Sequence, residues 1–152
     1  MKPTLKAFIV IITICFFKAN LHAQILHPVK WSYASKIISG TSAILYFKAD
    51  IEDGWHIYSV NQRSGGPLKT SFTYVKPKDY TLIGTPLEPT PLTHFDQTFG
   101  INVLYFTNTV TFRQKVKIIN KNIMVKGKLR YMACNDHQCL SPEELDFNIR
   151  LK

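Results

Sequence analysis

Apolar residues recur at every second position through much of this chain, a spacing that suits strands and not helices. Ala43, Leu45, Phe47, Ala49 and Ile51 alternate with Tyr46, Lys48 and Asp50. Val110, Phe112, Val116 and Ile118 alternate with Thr111, Arg113, Lys115 and Lys117. Ile123, Val125, Leu129 and Tyr131 do so with Lys126, Lys128 and Arg130, and Leu145, Phe147, Ile149 and Leu151 with Asp146, Asn148 and Arg150. Successive side chains of a strand point to opposite faces, so each run has one buried face and one wet face. Shorter candidates are Trp55–Ser59, Ser71–Val75, Tyr80–Gly84 and Val103–Thr107. Turn signals separate the runs: Asp53-Gly54, Ser64-Gly65-Gly66-Pro67, Lys76-Pro77-Lys78-Asp79 and Asn120-Lys121-Asn122. No long stretch carries a helical period. About eight short strands in one domain predict an all-β fold, an antiparallel β-sandwich.

The first residues have another purpose. Lys2 and Lys6 precede an apolar run from Ala7 to Phe17, too short to span a bilayer, and Ala23 is a fitting last residue before cleavage. Residues 1–23 are therefore expected to be a signal peptide and residues 24–152 the mature domain, exported, periplasmic and soluble. No other segment is long and apolar enough to cross a membrane, so no membrane insertion is expected after cleavage. The whole chain carries a formal net charge of +9. Many of its cations between Arg113 and Arg130 alternate with apolar residues, as on the solvated face of a strand. Nucleic acid is a poor partner for an exported chain, and none is expected.

The segment Thr85 to His94 contains Pro86, Pro89 and Pro91. Proline cannot donate to a sheet ladder, so an extended connection is expected there rather than a central strand. It leads into Phe95-Asp96-Gln97-Thr98-Phe99-Gly100. Aromatic residues at such a tip either anchor the loop to the core or serve the site.

Of three cysteines, Cys15 lies in the signal segment, which leaves Cys134 and Cys139 in Cys134-Asn135-Asp136-His137-Gln138-Cys139. Disulfides persist outside the cytoplasm, and the spacing permits a bridge. A structural staple is one reading. Closing so short a loop removes little unfolded-state entropy, about 2 kcal/mol, which leaves room for a reactive pair. His137 and the basic surroundings would favour a thiolate, while Asp136 and Glu143 would oppose it. A soft-metal site using Cys134, Cys139, His137 and Met132 is a third reading. Zinc-type paired spacing and hydrolase signatures are absent.

Four segments, taken in order, resemble a known family. They are Asp53-Gly54-Trp55-His56-Ile57-Tyr58-Ser59, Gly65-Gly66-Pro67, Phe95 to Gly100, and Cys134 to Glu143. Together they are similar to the N-terminal periplasmic domain of the thiol:disulfide interchange protein DsbD, over most of the mature chain. The resemblance implies an immunoglobulin-like sandwich with a catalytic pair, Cys139 attacking partner disulfides and Cys134 resolving the mixed disulfide. It implies a cap over the pair at Asp96 to Gly100, with Phe99 as the shield and Phe95 as the alternative. His56 and Tyr58 match aromatic residues beside the pair. The chain departs from the best-known members in having four residues rather than five between the cysteines. It also has Thr98 at the usual cap phenylalanine and Ser141 at a frequent proline.

The function expected from that resemblance is periplasmic thiol–disulfide exchange, relaying reducing equivalents between thioredoxin-like oxidoreductases. The match covers only one domain of that protein, so a separate electron donor is expected. No cofactor or metal is required, since the sulfurs carry both electrons. The alternative is a non-catalytic immunoglobulin-like binding module with a structural disulfide.

Overall fold

The computed structural model describes residues 26–75, 78–97, 99–120 and 122–151. The expected signal peptide lies outside them, as does Thr98. The strands are β1 (Val29–Ser39), β2 (Ser42–Ile51), β3 (His56–Tyr58), β4 (Ser71–Tyr74), β5 (Tyr80–Leu87) and β6 (Leu92–Asp96). They continue with β7 (Ile101–Phe106), β8 (Thr109–Ile118), β9 (Met124–Tyr131), β10 (Ala133–Cys134) and β11 (Glu143–Arg150). They form three antiparallel groups in the orders β1-β2-β8-β5, β11-β9-β4 and β10-β3-β7-β6. The fold is all-β, an immunoglobulin-like antiparallel β-sandwich.

The first two groups face each other through the inward rows that period two supplies. Phe47 of β2 meets Phe72 of β4 at 4.5 Å between ring centroids and Phe147 of β11 at 4.9 Å. Leu45, Phe47, Phe112, Val116, Val125 and Leu129 are wholly buried between the layers. Two inward positions break the apolar row, each for a local reason. At Gly127 a Cβ would run into the Thr73 carbonyl and the Phe147 ring, so only hydrogen fits. Gln114 is 1% exposed, and its Nε2 donates to the carbonyls of Ile83 (3.1 Å) and Lys115 (2.9 Å). It braces β5 where the register shifts between Ile83 and Leu87, just before Gly84 turns left-handed at φ 66°.

The proline-rich segment corrects the expectation of a plain connection. Thr85, Pro86 and Leu87 extend β5, and Leu92, Thr93 and His94 begin β6, leaving only 88–91 as a link. Both strands lie at a sheet edge, where a missing N–H costs nothing. Glu88 pins the link to the chain just after β3. Its carboxylate accepts from Val60 N (3.0 Å), Asn61 Nδ2 (2.7 Å) and the Ser59 hydroxyl. β1 was not expected either, because beyond Val29 its inward row is only half-buried or exposed.

The third group places the site. In β3 and β7, Ile57 and Phe106 pair and enter the main core together with Ala133 of β10. The alternate residues Tyr58, Val103 and Cys134 form a second, smaller cluster on the opposite face. Period two thus gives one sheet a core face and a site face.

Candidate redox site

Cys134 and Cys139 are bonded to each other, with Cα atoms 4.0 Å apart. The local chain explains the approach. Asn135 N donates to Gln138 O and Leu140 N to Ala133 O, both at 2.9 Å. These bonds flank the Cys134–Cys139 bridge and make it a non-hydrogen-bonded antiparallel pair, the kind whose side chains lie closest. Asn135 closes the turn, its Oδ1 accepting from His137 N (2.9 Å) and Gln138 N (2.8 Å). The two sulfur-bearing residues differ sharply in access. Cys134 is 1% exposed, whereas Cys139 is exposed.

Register brings β3 to the pair. Cys134 stands directly opposite His56, and Ala133 opposite Ile57. His56 Nε2 lies 3.1 Å from the Tyr58 hydroxyl, and the His56 ring meets Tyr58 and Tyr105 edge to face, both at 5.3 Å. Burial holds the His56 imidazole below its usual range, with Asp136 and Asp96 pulling it back and His94 adding to the fall. Burial, with Asp96 in support, pushes the Tyr58 phenol up to about 12.

A cleft of about 770 Å³ collects these groups. His56, Tyr58, Asp96, Phe99, His137, Cys134 and Cys139 all line it. Phe95 does not. It alternates with His94 and Asp96 along β6, pairs with Asn102 and faces the other side of the sheet, 55% exposed. Phe99 is 38% exposed, at the turn between β6 and β7. Asp96 shapes that turn, accepting from Phe99 N through Oδ1 (3.2 Å) and from Gly100 N through its carbonyl (2.8 Å).

The sequence reading missed His94, Tyr105 and Trp55, which also line the cleft. His94 had a signal, two residues before Asp96 on one strand. Tyr105 had none, since only the β3/β7 register sets it opposite Tyr58. Glu143 lies apart from the cleft. It accepts from the Tyr131 hydroxyl at 3.0 Å and contacts His27 at 3.3 Å, so it does not oppose a thiolate as expected. Among the described residues no group of three or more His, Cys, Asp or Glu could hold a metal ion.

The family model for the N-terminal domain of the thiol:disulfide interchange protein DsbD matches residues 22–150. The chain belongs to this family of DsbD N-terminal domains. No curated protein sequence matches it. Among solved structures it is similar to the Neisseria meningitidis DsbD N-terminal domain in the reduced form. The identity is 18% and the TM-score 0.53, covering 78% of this chain and 83% of that one. It is also similar to the N-terminal periplasmic domain of ScsB from Proteus mirabilis, at 15% identity and TM-score 0.58. That match covers 84% of this chain and 49% of the ScsB chain, about half its length. A third similar structure is the complex of the DsbD and PilB N-terminal domains from Neisseria meningitidis, at 15% identity and TM-score 0.54. It covers 82% of this chain and 87% of that one. These likenesses share the fold with the DsbD N-terminal domain. Among the described residues no helix is long and apolar enough to cross a membrane.

Proposed function

We propose that this chain is an exported, periplasmic thiol–disulfide exchange domain that works through Cys134 and Cys139, with residues 1–23 removed as a signal peptide. The observation that carries the reading is the unequal access of two bonded sulfurs inside an aromatic cleft. In the reducing direction the Cys139 thiolate attacks a partner disulfide, forming a mixed disulfide and expelling one partner thiolate. Cys134 then attacks Cys139, the partner's second sulfur leaves with the bonding electrons, and the internal bridge forms again. Two electrons pass to the partner, and a separate donor returns the pair to dithiol. Thioredoxin-like proteins suit both roles, since they present one accessible sulfur. The complex of a similar domain with the PilB N-terminal domain supports a protein partner on this fold. Phe99 is the shield in this reading, covering the pair against small thiols until a partner docks. Asp96 shapes the turn that carries it, and Tyr58 and His137 complete the surroundings.

Trapping tests the roles. Cys134→Ser removes the resolving thiol and should accumulate Cys139-linked mixed disulfides with exported thioredoxin-like proteins, visible on non-reducing gels. Cys139→Ser should accumulate none. Trapping by Cys139→Ser instead would reverse the assignment, and trapping by neither would leave the bridge a structural one.

A further inference from the structure

We propose that His56 is the base that takes the proton from Cys134 when the mixed disulfide is resolved, and returns it to that sulfur in the reverse step. The inference rests on the exchange reading above and adds a residue to it.

The need comes from burial. Resolution requires a thiolate at Cys134, because the thiolate and not the thiol attacks. Cys134 is 1% exposed, so bulk water has little access to its proton, and apolar surroundings disfavour the anion. A base inside the cleft is required. Five titratable groups besides the cysteines and tyrosines line it: His56, His94, Asp96, Asp136 and His137.

Topology selects among them. Directly opposite residues of an antiparallel pair share a face, with Cβ atoms about 4.5–5.5 Å apart. His56 is that neighbour of Cys134. His94 and Asp96 sit on β6, three strands from β10, roughly 14 Å away at the usual strand spacing. Asp136 and His137 occupy the exposed turn of the hairpin.

The His56 ring is also held for the task. Residues 56 and 58 share a face of β3, which puts the Tyr58 hydroxyl 3.1 Å from Nε2. In the tautomer where Nε2–H donates to that oxygen, Nδ1 keeps its lone pair. Tyr58 and Tyr105 meet the ring edge to face and fix its plane. The groups facing it are Tyr58 on its own strand, Tyr105 on β7, His94 and Asp96 on β6, and Asp136 and His137 on the hairpin. Burial keeps the imidazole neutral, as a base must be, and the carboxylates of Asp136 and Asp96 stabilise the imidazolium once it forms.

The step balances. The Cys134 proton passes to His56 Nδ1, and the sulfur's electron pair attacks Cys139 Sγ. The bond from Cys139 to the partner breaks, and the partner sulfur leaves as a thiolate with that bonding pair. The imidazolium then gives its proton to that thiolate or to water.

A chromogenic aryl disulfide separates the two steps. Mixing it with the reduced mature domain releases one coloured thiolate as Cys139 attacks and a second as Cys134 resolves. His56→Gln can still hydrogen-bond to Tyr58 and cannot take up the proton. At neutral pH it should slow the second phase at least about tenfold and leave the first unchanged. The deficit of the variant should shrink as pH rises, because unaided ionisation of the thiol then contributes more. His27→Gln, at a histidine beside Glu143 and apart from the cleft, should leave both phases as they are. An unaltered second phase in His56→Gln, equal slowing of both phases, or a deficit that does not shrink as pH rises would overturn the inference. Absence of the second phase in the wild type would instead overturn the exchange reading. A ring-proton NMR titration of the wild type needs no variant. The His56 ring should titrate differently in the reduced and oxidised forms, and identical titrations would also overturn the inference.

Discussion

Reducing the Cys134–Cys139 bond should cost the folded domain only about 2 kcal/mol. The cysteines are five positions apart, so the bridge closes a loop of about six residues, and the chain-entropy model assigns that loop a small restriction of the unfolded state. The folded state loses little else. Asn135 N and Leu140 N keep their backbone bonds across the hairpin, and Asn135 Oδ1 keeps two more. The sandwich core between β2, β8, β9 and β11 does not include the sulfurs. Chemical reduction is the right perturbation, because truncating Cys134 would add a cavity at a buried site. Urea unfolding with and without reductant should show a shifted midpoint with a nearly unchanged slope, and Tm should fall by roughly 6–10 °C. By linkage the folded bridge should then be only about 40 mV harder to reduce than the same bridge in the unfolded chain. Such a bridge can be opened and closed repeatedly without unfolding its carrier. Loss of more than about 5 kcal/mol, or unfolding on reduction, would refute the reasoning and return the bridge to the role of a staple.

Phe99→Ala should speed reduction by glutathione and lower stability by less than about 1 kcal/mol, well below the 3–5 kcal/mol typical of a core phenylalanine. Phe95→Ala, on the far face of β6, should leave that rate unchanged, and a faster rate in it alone would exchange the two roles. Gly127→Ala should cost at least about 2 kcal/mol in urea unfolding, because the new methyl meets the Thr73 carbonyl and the Phe147 ring. A variant as stable as wild type would mean that Phe147 is not packed against β9. His56 should make the domain acid-sensitive. Its pKa is lower folded than unfolded, so as pH falls the unfolded chain binds the proton first. The His56 contribution is then complete above about pH 6.5 and is lost progressively below it. His56→Gln should flatten that part of the stability profile between neutral pH and about pH 5.

Strands with an apolar and mostly buried inward row were legible from their alternation. β2, β8, β9 and β11 run from residue to residue close to where period two puts them. β1 was hidden because Trp31 and Tyr33 are only partly covered, polar Ser35 interrupts the row and Ile37 is exposed, so the row carries no clear apolar period. β6 and the end of β5 were hidden by Pro86, Pro89 and Pro91 in and between them, which forbid a central strand but not an edge. The cysteine pair was legible because its members are close in sequence. The partnership of His56 with Cys134 needs the β3/β10 register, and that of Tyr58 with Tyr105 the β3/β7 register. Registers are set by where turns and bulges fall, and no short motif states them.

The sheet order also explains how a reactive site can sit on so small an area without weakening the fold. The group β10-β3-β7-β6 contributes Ile57, Phe106 and Ala133 to the main core through one face, and that face fixes its position. Its other face buries only Tyr58, Val103 and Cys134, with Ile101, Tyr105 and Met132 packed beside them. Side chains there can be polar, titratable or mobile, because the sandwich does not depend on them for most of its buried surface. Backbone pairing to β3 fixes Cys134, while Cys139 beyond the turn is free to meet a partner. The turn that carries Phe99 is tied to β6 through Asp96, and β7 separates β6 from β3. A buried sulfur opposite His56, an exposed sulfur beyond the turn, and an aromatic tip on a separate hairpin meet in one cleft. A two-faced antiparallel sheet can present all three because they come from different segments: β10, the stretch beyond its turn, and the turn between β6 and β7.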